Sequence, residues 1–334
     1  MNDAMAEVLA QLDPDLRKSV PWASEIEIVR QRVPSIGLNN ALDGGFVYGR
    51  QVLLWGNKSA GKSTFCLEMI SDAMKEGKTV LWIDVEKTFD PTWAAQFGIN
   101  VDDLIVYQNV SSVSKMVEVI VKYITAGIDI IIVDSISMLL PSSYFKKGTD
   151  EQNDMADSKQ MGTIAKELTE AVARINDANS KTLVVMISQL RNKLGSMFVS
   201  QEPTGGEAMK FASSSVVKLW SSASENNAIK EKIQVGDKLV ENTVGREVTW
   251  TVNYNKTGPA FVSGNYNFYY KGPRKRGIDQ TGELFDIAVG QGLIEKSGNA
   301  WFIIDDQKIN GKAAGIKYLE DHPEKVNELV TALG

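Results

Sequence analysis

The 334-residue sequence predicts an α/β fold with a mostly parallel central sheet. Three observations predict it. Short apolar runs alternate with amphipathic helical stretches from about residue 50 to about residue 190. One run ends in Gly56-Asn-Lys-Ser-Ala-Gly-Lys-Ser63, a G-x-x-x-x-G-K-[ST] pattern followed at once by a helical pattern. Two further runs end in acids, at Asp84 and Asp134. The alternation places both at the carboxyl ends of strands, where open α/β sheets bind their ligands.

The elements come in a regular order. Residues 4–19 read as a short helix, with Ala4, Met5, Val8, Leu9 and Leu12 on one face, interrupted by Asp13-Pro14. Glu25-Ile-Glu-Ile-Val29 alternates like a strand. So small an appendage must pack on the core or on a neighbouring subunit. Gln51–Trp55 reads as a buried strand, Ser63–Met74 as a helix, Thr79–Ile83 as a strand and Ile105–Tyr107 as a short strand. Met116–Thr125 reads as a helix, Ile128–Val133 as a strand, Met161–Asn179 as a long helix and Thr182–Ile187 as a strand. After about residue 205 strand-like runs dominate, at Ser215–Trp220, Val248–Tyr254 and Asn267–Tyr270. A small helical unit begins near residue 278, with helical stretches at Gly282–Val289, Lys312–Leu319 and Glu324–Leu333.

Composition narrows the chemistry. Hydrophobic residues make up 43% and charged residues 23%, as in ordinary globular chains. The run Ile128–Leu140 contains Asp129 and Asp134, so it reads as a buried strand with the segment just after it, rather than a membrane span. No basic region followed by an apolar stretch opens the chain, and Cys66 is the single cysteine; a cytoplasmic, reducing location is expected. The single histidine, His322, leaves no material for a histidine-based triad or metal site. The net charge of −6 argues against a surface basic throughout but permits a local basic groove.

The phosphate pattern has a direct physical reading. Gly56, Ser59, Ala60, Gly61, Lys62, Ser63 and Thr64 form a turn whose backbone N–H groups, with the helix N-terminus behind them, face phosphate oxygens. Lys62 reaches the β- and γ-phosphates, and Ser63 with Asp134 holds Mg²⁺. ATP and Mg²⁺ are therefore the expected ligands. Glu86, beyond the strand that ends at Ile83, can deprotonate the attacking water, and Asp84 competes for that role. Gln189 follows the strand Thr182–Ile187, where a neutral amide can sense the γ-phosphate.

The chain resembles the bacterial and phage RecA recombinases, near collinearly from about residue 35 to 334. The resemblance runs through Ile83-Asp-Val-Glu-Lys-Thr-Phe-Asp-Pro91 and Val133-Asp-Ser135. Its most specific stretches are Ser188-Gln-Leu-Arg-Asn-Lys-Leu-Gly-Ser-Met-Phe198 and Thr204-Gly-Gly-Glu-Ala-Met-Lys-Phe211. It ends in Gly282-Glu-Leu-Phe-Asp286 and Gly292-Leu-Ile-Glu-Lys-Ser-Gly-Asn-Ala-Trp301. It implies a RecA-type P-loop ATPase core with DNA-binding loops over 35–277, a helix–strand polymerisation segment over 1–34 and a small α/β C-terminal domain over 278–334.

The resemblance also assigns roles. Glu86 becomes the catalytic base, Asp90 and Trp93 the adenine contacts, and Gln189 the γ-phosphate sensor. Arg191, Lys193, Met197, Phe198, Gly205 and Gly206 belong to one DNA-binding loop, with a first such loop near Lys146–Met161. Cations at phosphates and side chains wedged between or stacked on bases suit that use. Lys256 completes the site of a neighbouring subunit, much as an arginine finger does, and Lys210-Phe211 matches the pair that links nucleotide to the interface. Lys296 and Lys312 match positions that gather duplex DNA. The implied partners are single-stranded DNA, homologous double-stranded DNA and further copies of the chain in a helical filament, without a membrane. Two alternatives remain: an ATP-switched single-strand coat, and a ring-forming helicase that shares the core fold.

Departures qualify the likeness. Tyr254 stands where the family has a second interface lysine. Trp220-Ser-Ser222 and Thr249–Thr251 carry no positive charge where the family has a secondary DNA site. The basic run Lys271-Gly-Pro-Arg-Lys-Arg276 is the expected substitute for those cations. The family's acidic tail is absent from the end of the chain, which predicts less self-inhibition.

Overall fold

The computed structural model describes residues 3–14, 23–140, 156–178, 181–192, 201–222, 224–235, 238–271 and 275–333. Helix α1 spans Asp3–Ala10, shorter than the helix over 4–19, whose last residues lie outside the described set. The strand expected at Glu25–Val29 does not form: a 3₁₀ turn at Ala23–Glu25 precedes β1, which is only Arg30–Gln31, paired with β2 at Phe46–Val47. Ile26, Ile28 and Val29 are left 59%, 49% and 55% exposed. An alternating sequence becomes a strand only where a partner edge is available, and among the described residues of this stretch 30–31 find one. Helix α2, Ile36–Ala41, is capped by the Ser35 hydroxyl.

The core begins at β3, Gln51–Gly56, buried at every position. It continues through α3, Lys62–Lys75, β4, Val80–Asp84, and the short α4, Pro91–Ala95. Next come β5, Ile105–Tyr107, α5, Val113–Thr125, β6, Ile130–Asp134, and α6, Ala156–Ala178. β7, Leu183–Asn192, is followed by β8, Gln201–Pro203, α7, Gly206–Ala212, and β9, Ser215–Trp220. A long hairpin of β10, Ala228–Val235, and β11, Lys238–Asn255, leads to β12, Val262–Tyr269, and β13, Gly277–Ile278.

These strands form one sheet of eleven, in the order β13-β12-β11-β9-β3-β7-β6-β4-β5, with β10 on β11 and β8 on β7. Strands β9, β3, β7, β6, β4 and β5 are parallel, and β11 to β13 add antiparallel pairs at one side. The expected mostly parallel sheet is present. β3 lies between β7 and β9, both later in the chain. The phosphate loop therefore leaves the sheet at a switch in strand order, where a crevice opens.

Alternation along the strands fills both faces. Leu54, Trp82, Val217, Leu219, Val248 and Trp250 pack with Phe65, Cys66 and Ile70 of α3 on one side. Leu53, Leu81, Ile83 and Val216 pack with Val117, Ile120, Leu168 and Val172 on the other.

The C-terminal unit holds α8, Gln280–Gly290, the three-stranded antiparallel sheet β14, Glu295–Ser297, β15, Trp301–Ile304, and β16, Gln307–Asn310, then α9, Lys312–Asp321, and α10, Pro323–Ala332. Its core of Leu284, Phe285, Phe302, Ile316, Leu319 and Leu329 also takes in Ile36. Glu283 ties the two parts together. Its carboxyl accepts from the Ser35 hydroxyl at 2.7 Å and from the Ile36 and Gly37 N–H groups at 2.9 and 3.1 Å. Among the described residues no helix is long and apolar enough to cross a membrane.

Candidate active site

Gly56 ends β3 against β9 so closely that a Cβ would stand 1.8 Å from the Leu219 carbonyl oxygen. No other residue type fits there without moving backbone. Gly61 caps α3 in a left-handed conformation, φ 80°, which glycine adopts without penalty. The loop is anchored from the side: Asn57 donates to the Ser221 carbonyl at 2.6 Å and accepts from the Ser221 N–H at 3.1 Å.

A cavity of about 280 Å³ opens over this loop, lined by Lys62, Ser63, Glu86, Asp134 and Gln189 among others. Four strands supply the polar groups. Lys62 is buried and donates to the Gly56 and Asn57 carbonyls at 3.1 and 2.8 Å. Burial lowers its pKa, against the opposing pull of Asp134 and Glu86. Asp134, at the end of β6, has its pKa raised to about 6 by burial; the Ser63 hydroxyl bond and Lys62 work in the other direction, and Glu86 and Asp84 reinforce the rise. Glu86 Oε1 accepts from the Ser135 hydroxyl at 2.6 Å and from Gln189 Nε2 at 2.9 Å.

Asp84 is differently placed. It is buried and saturated: Oδ1 accepts from the Thr88 N–H at 3.1 Å, and Oδ2 from the Phe89 N–H and Gln108 Nε2 at 2.9 and 2.8 Å. It ties down the turn that presents Glu86 and does not line the cavity.

The structure also shows groups to which sequence reasoning gave no role. Lys58 lines the cavity. Behind Gln189 lies a set of hydroxyls: the Ser137 hydroxyl accepts from the Gln189 N–H at 2.8 Å and from the Thr204 hydroxyl at 3.1 Å, and the Ser188 hydroxyl accepts from the Thr204 N–H at 2.9 Å. Their residues are scattered over 67 positions in sequence, so no local spacing signals them.

Other expected residues lie elsewhere. Asp90 caps α4, accepting from the Thr92 and Trp93 N–H groups at 2.8 and 3.2 Å. Trp93 stands edge-on to Phe97 at 5.1 Å. Lys256 donates to the Phe211 carbonyl at 2.8 Å and Lys210 pairs with Glu207 at 2.6 Å; neither lines the cavity of its own chain. Gly205 and Gly206 both have positive φ at the start of α7, and a Cβ on Gly205 would meet Met209 Cγ at 2.2 Å. Arg191 lies near the end of β7, opposite Glu202 of β8. Lys193, Met197, Phe198 and the first-loop residues 141–155 lie outside the described residues. Lys296 is exposed on β14, and Lys312 pairs with Asp286 at 2.6 Å.

Two cations of the basic run lie on the other side of the sheet from the expected site, and Arg274 lies outside the described residues. Val248, Trp250 and Leu219 face α3, so Thr249, Thr251 and Trp220 face the other side of the sheet. Lys275 and Arg276 line a cavity with Glu68, Ser71 and Asp72 of α3, on the α3 side. Lys275 and Arg276 are therefore on the face opposite to Thr249, Thr251 and Trp220. That face does carry Lys218, held 5.2 Å from the Trp55 ring and 5.1 Å from the Trp220 ring.

Two domain families match the chain: the RecA N-terminal domain over residues 18–272 and the RecA C-terminal domain over residues 282–333. The chain belongs to the RecA family. Among relatives, it is 36% identical over 333 residues to "Protein RecA" of Pseudomonas putida, covering 96% of this chain and 86% of that one. It is 35% identical over 304 residues to "Protein RecA" of Colwellia psychrerythraea, covering 90% and 81%. The crystal structure of the RadB recombinase shares the fold, with a TM-score of 0.50 and 16% identity, covering 74% of this chain and 98% of that one. RecA-family membership agrees with the cavity: a P-loop, a strand-end acid, and an acid–amide pair beyond them.

Proposed function

We propose that this RecA-family chain is a DNA-dependent ATPase that forms a helical filament on single-stranded DNA and promotes homologous pairing and strand exchange in recombination and repair. One observation carries the reading. The Gln189 amide donates to Glu86 in the phosphate cavity, while its backbone, through Ser137 and Thr204, is tied to the strand on the far side of residues 193–200. A single residue thus touches both the hydrolytic carboxylate and the base of the expected DNA loop.

The cavity supports a specific chemistry. The loop N–H groups and Lys62 hold the phosphates, and Lys62 exchanges its carbonyl partners for phosphate oxygens. Glu86 takes a proton from water as the water oxygen bonds to the γ-phosphorus and the β–γ bridge breaks, leaving ADP and phosphate. The Ser63 hydroxyl and Asp134 carboxylate, already hydrogen-bonded to each other, form an oxygen-only pair that fits Mg²⁺. When bound, that ion neutralises charge on the phosphate oxygens. Asp90 and Trp93 would take the adenine. Lys256, outside its own chain's cavity, would exchange its Phe211 carbonyl partner for a neighbour's nucleotide, Lys210-Phe211 would link nucleotide to the interface, and the exposed Ile26, Ile28 and Val29 offer an edge for that neighbour to cover.

The test is ATP hydrolysis with and without single-stranded DNA. Wild type should be stimulated by DNA, Lys62→Ala should lose ADP binding, and Gln189→Ala should bind ADP but lose stimulation. Hydrolysis indifferent to DNA in wild type would overturn the recombinase mechanism. A second reading, an ATP-switched coat without strand exchange, is favoured by the lack of cations at Trp220–Ser222 and Thr249–Thr251. Strand exchange with homologous and heterologous duplexes separates the two.

A further inference from the structure

The phosphate loop carries a second lysine that the proposed hydrolysis leaves without a task. Lys58 stands in the same loop as Lys62 and lines the same cavity. Of the described residues that line it, Lys58 and Lys62 are the cations and Glu86 and Asp134 the acids. Asp90 and Trp93, the expected adenine contacts, do not line it. A cation standing here meets phosphate oxygens rather than the base.

The backbone that carries Lys58 is fixed. Lys58 and Ser59 are the central residues of a turn closed by the Ala60 N–H, which donates to the Asn57 carbonyl at 3.3 Å. Ser59 holds a left-handed conformation, φ 64°, which residues other than glycine adopt rarely. The Asn57 side chain pins the start of the turn to Ser221, and the Asn57 carbonyl also accepts from Lys62 Nζ at 2.8 Å. The turn is thus braced by Ser221 on one side and by the first phosphate lysine on the other.

The Lys58 side chain is left over. It is exposed, and its ammonium makes no hydrogen bond or ion pair among the described residues. The two acids of the cavity are committed elsewhere: Glu86 accepts from Ser135 and Gln189, and Asp134 from Ser63. A compact cation on a flexible four-carbon stem, rooted in a rigid turn at the cavity and unclaimed by its acids, is matched to an anion that enters from outside.

We infer that Lys58 is a second phosphate cation of the nucleotide site, a catalytic residue whose ammonium binds the γ-phosphate oxygens. This role rests on the nucleotide site proposed for this chain. Lys58 keeps its protons throughout. Glu86 takes the proton of the attacking water, the electron pair of the broken β–γ bridge stays on the β-phosphate oxygen, and the ammonium offsets charge on the γ-phosphate oxygens as the bond breaks. Tyr254 leaves Lys256 as the one lysine expected from a neighbour at that point of the interface; Lys58 supplies a second cation from the same chain as the loop.

The experiment measures binding of ADP and of the β,γ-imido analogue of ATP to the full chain by calorimetry in Mg²⁺, for wild type, Lys58→Met, Lys58→Arg and Lys62→Ala. Lys58→Met should weaken the analogue about threefold to thirtyfold, the worth of a partly exposed charge-assisted hydrogen bond, and leave ADP within about twofold. The loss should shrink as salt is raised, because the ammonium is exposed. Turnover at saturating ATP with single-stranded DNA should fall about tenfold. Lys58→Arg keeps the charge and should hold the analogue to within about threefold of wild type. Four results would overturn the role: unchanged analogue affinity, equal weakening of ADP, Lys58→Arg no better than Lys58→Met, or a loss confined to protein concentrations at which copies associate, which would assign Lys58 to a neighbour's site. Lys62→Ala separates this from failure of the nucleotide site itself. If that variant binds both nucleotides like wild type, the phosphate reading falls; if it loses both while Lys58→Met changes neither, only the Lys58 role falls.

Discussion

Asp84 and Glu86 are two carboxylates two residues apart with opposite assignments, and exchanging each for its amide tests the division. Asp84 accepts three hydrogen bonds in a buried position. In Asp84→Asn one oxygen becomes an NH₂ group. Whichever way the amide turns, that group faces a donor, the Thr88 N–H on one side or the Phe89 N–H and Gln108 on the other. An unpaired buried donor costs about 1–3 kcal/mol, and the surviving bonds weaken as their acceptor loses its charge, so the total is about 2–5 kcal/mol. Glu86→Gln keeps a carbonyl oxygen for both Ser135 and Gln189, so its stability should change by about 0.5 kcal/mol or less. Its turnover should fall about 10²- to 10⁴-fold, the worth of a general base. Urea unfolding and single-strand-stimulated ATP hydrolysis read the two effects separately. The reasoning fails if Glu86→Gln turns over within threefold of wild type. It also fails if Asp84→Asn loses turnover with an unchanged urea midpoint.

Burial raises the Glu283 carboxyl to about 7 from its ordinary value of 4.5, so its contribution to stability is complete below about 4.5 and is lost as pH rises through about 7. The shift corresponds to about 3 kcal/mol at most, and Glu283→Gln should flatten the pH dependence of urea unfolding across that window; an unaltered slope would refute the burial argument. Gly56→Ala drives a methyl group into the Leu219 carbonyl and should cost about 3 kcal/mol or more, whereas Gly61→Ala meets no atom within 4 Å and should cost about 1–2 kcal/mol from its left-handed backbone. Thermal melts that rank the two in reverse order would refute that reading. Ser137→Ala leaves the Gln189 N–H without its hydroxyl partner and should lose DNA stimulation of hydrolysis while ADP affinity is retained; full stimulation would show that the hydroxyl set is packing alone.

The parallel core was legible because its strands are buried on both faces and bounded by glycines or acids. β3 and β9 lie at the positions their apolar runs predict. The antiparallel additions were harder to read. β11 runs through Lys238–Asn255, yet its residues 238–243 pair with β10 alone, and exposed residues on that hairpin present no apolar face to reveal a period. β14, β15 and β16 are three or four residues each, too short to show alternation, and the segment reads as part of a helical unit. The Glu25–Val29 stretch shows the converse: its alternation is real, but pairing needs a second edge. In the site, the local motif was readable and the assembly around it was not. Nothing near Asp84 in sequence shows that Gln108 would saturate it, and nothing near Lys275-Arg276 shows which face of the sheet they would reach.

The length of β7 links the two halves of the proposed mechanism. The apolar run suggests a strand that stops at Ile187, but the strand continues to Asn192 and pairs with β8 across Leu190–Asn192. Gln189 is therefore a residue inside a strand rather than on a loose loop, two positions beyond Ile187, which lines the phosphate cavity. Its side chain meets Glu86 while its N–H meets Ser137, so a shift of the strand end would move the anchor of the amide together with its hydroxyl partner. A one-residue slip of β7 would turn Gln189 to the other face of the sheet. A shift of the β7–β8 end would therefore change the geometry at Glu86, which is how the proposed hydrolytic site would answer to DNA bound beyond Asn192.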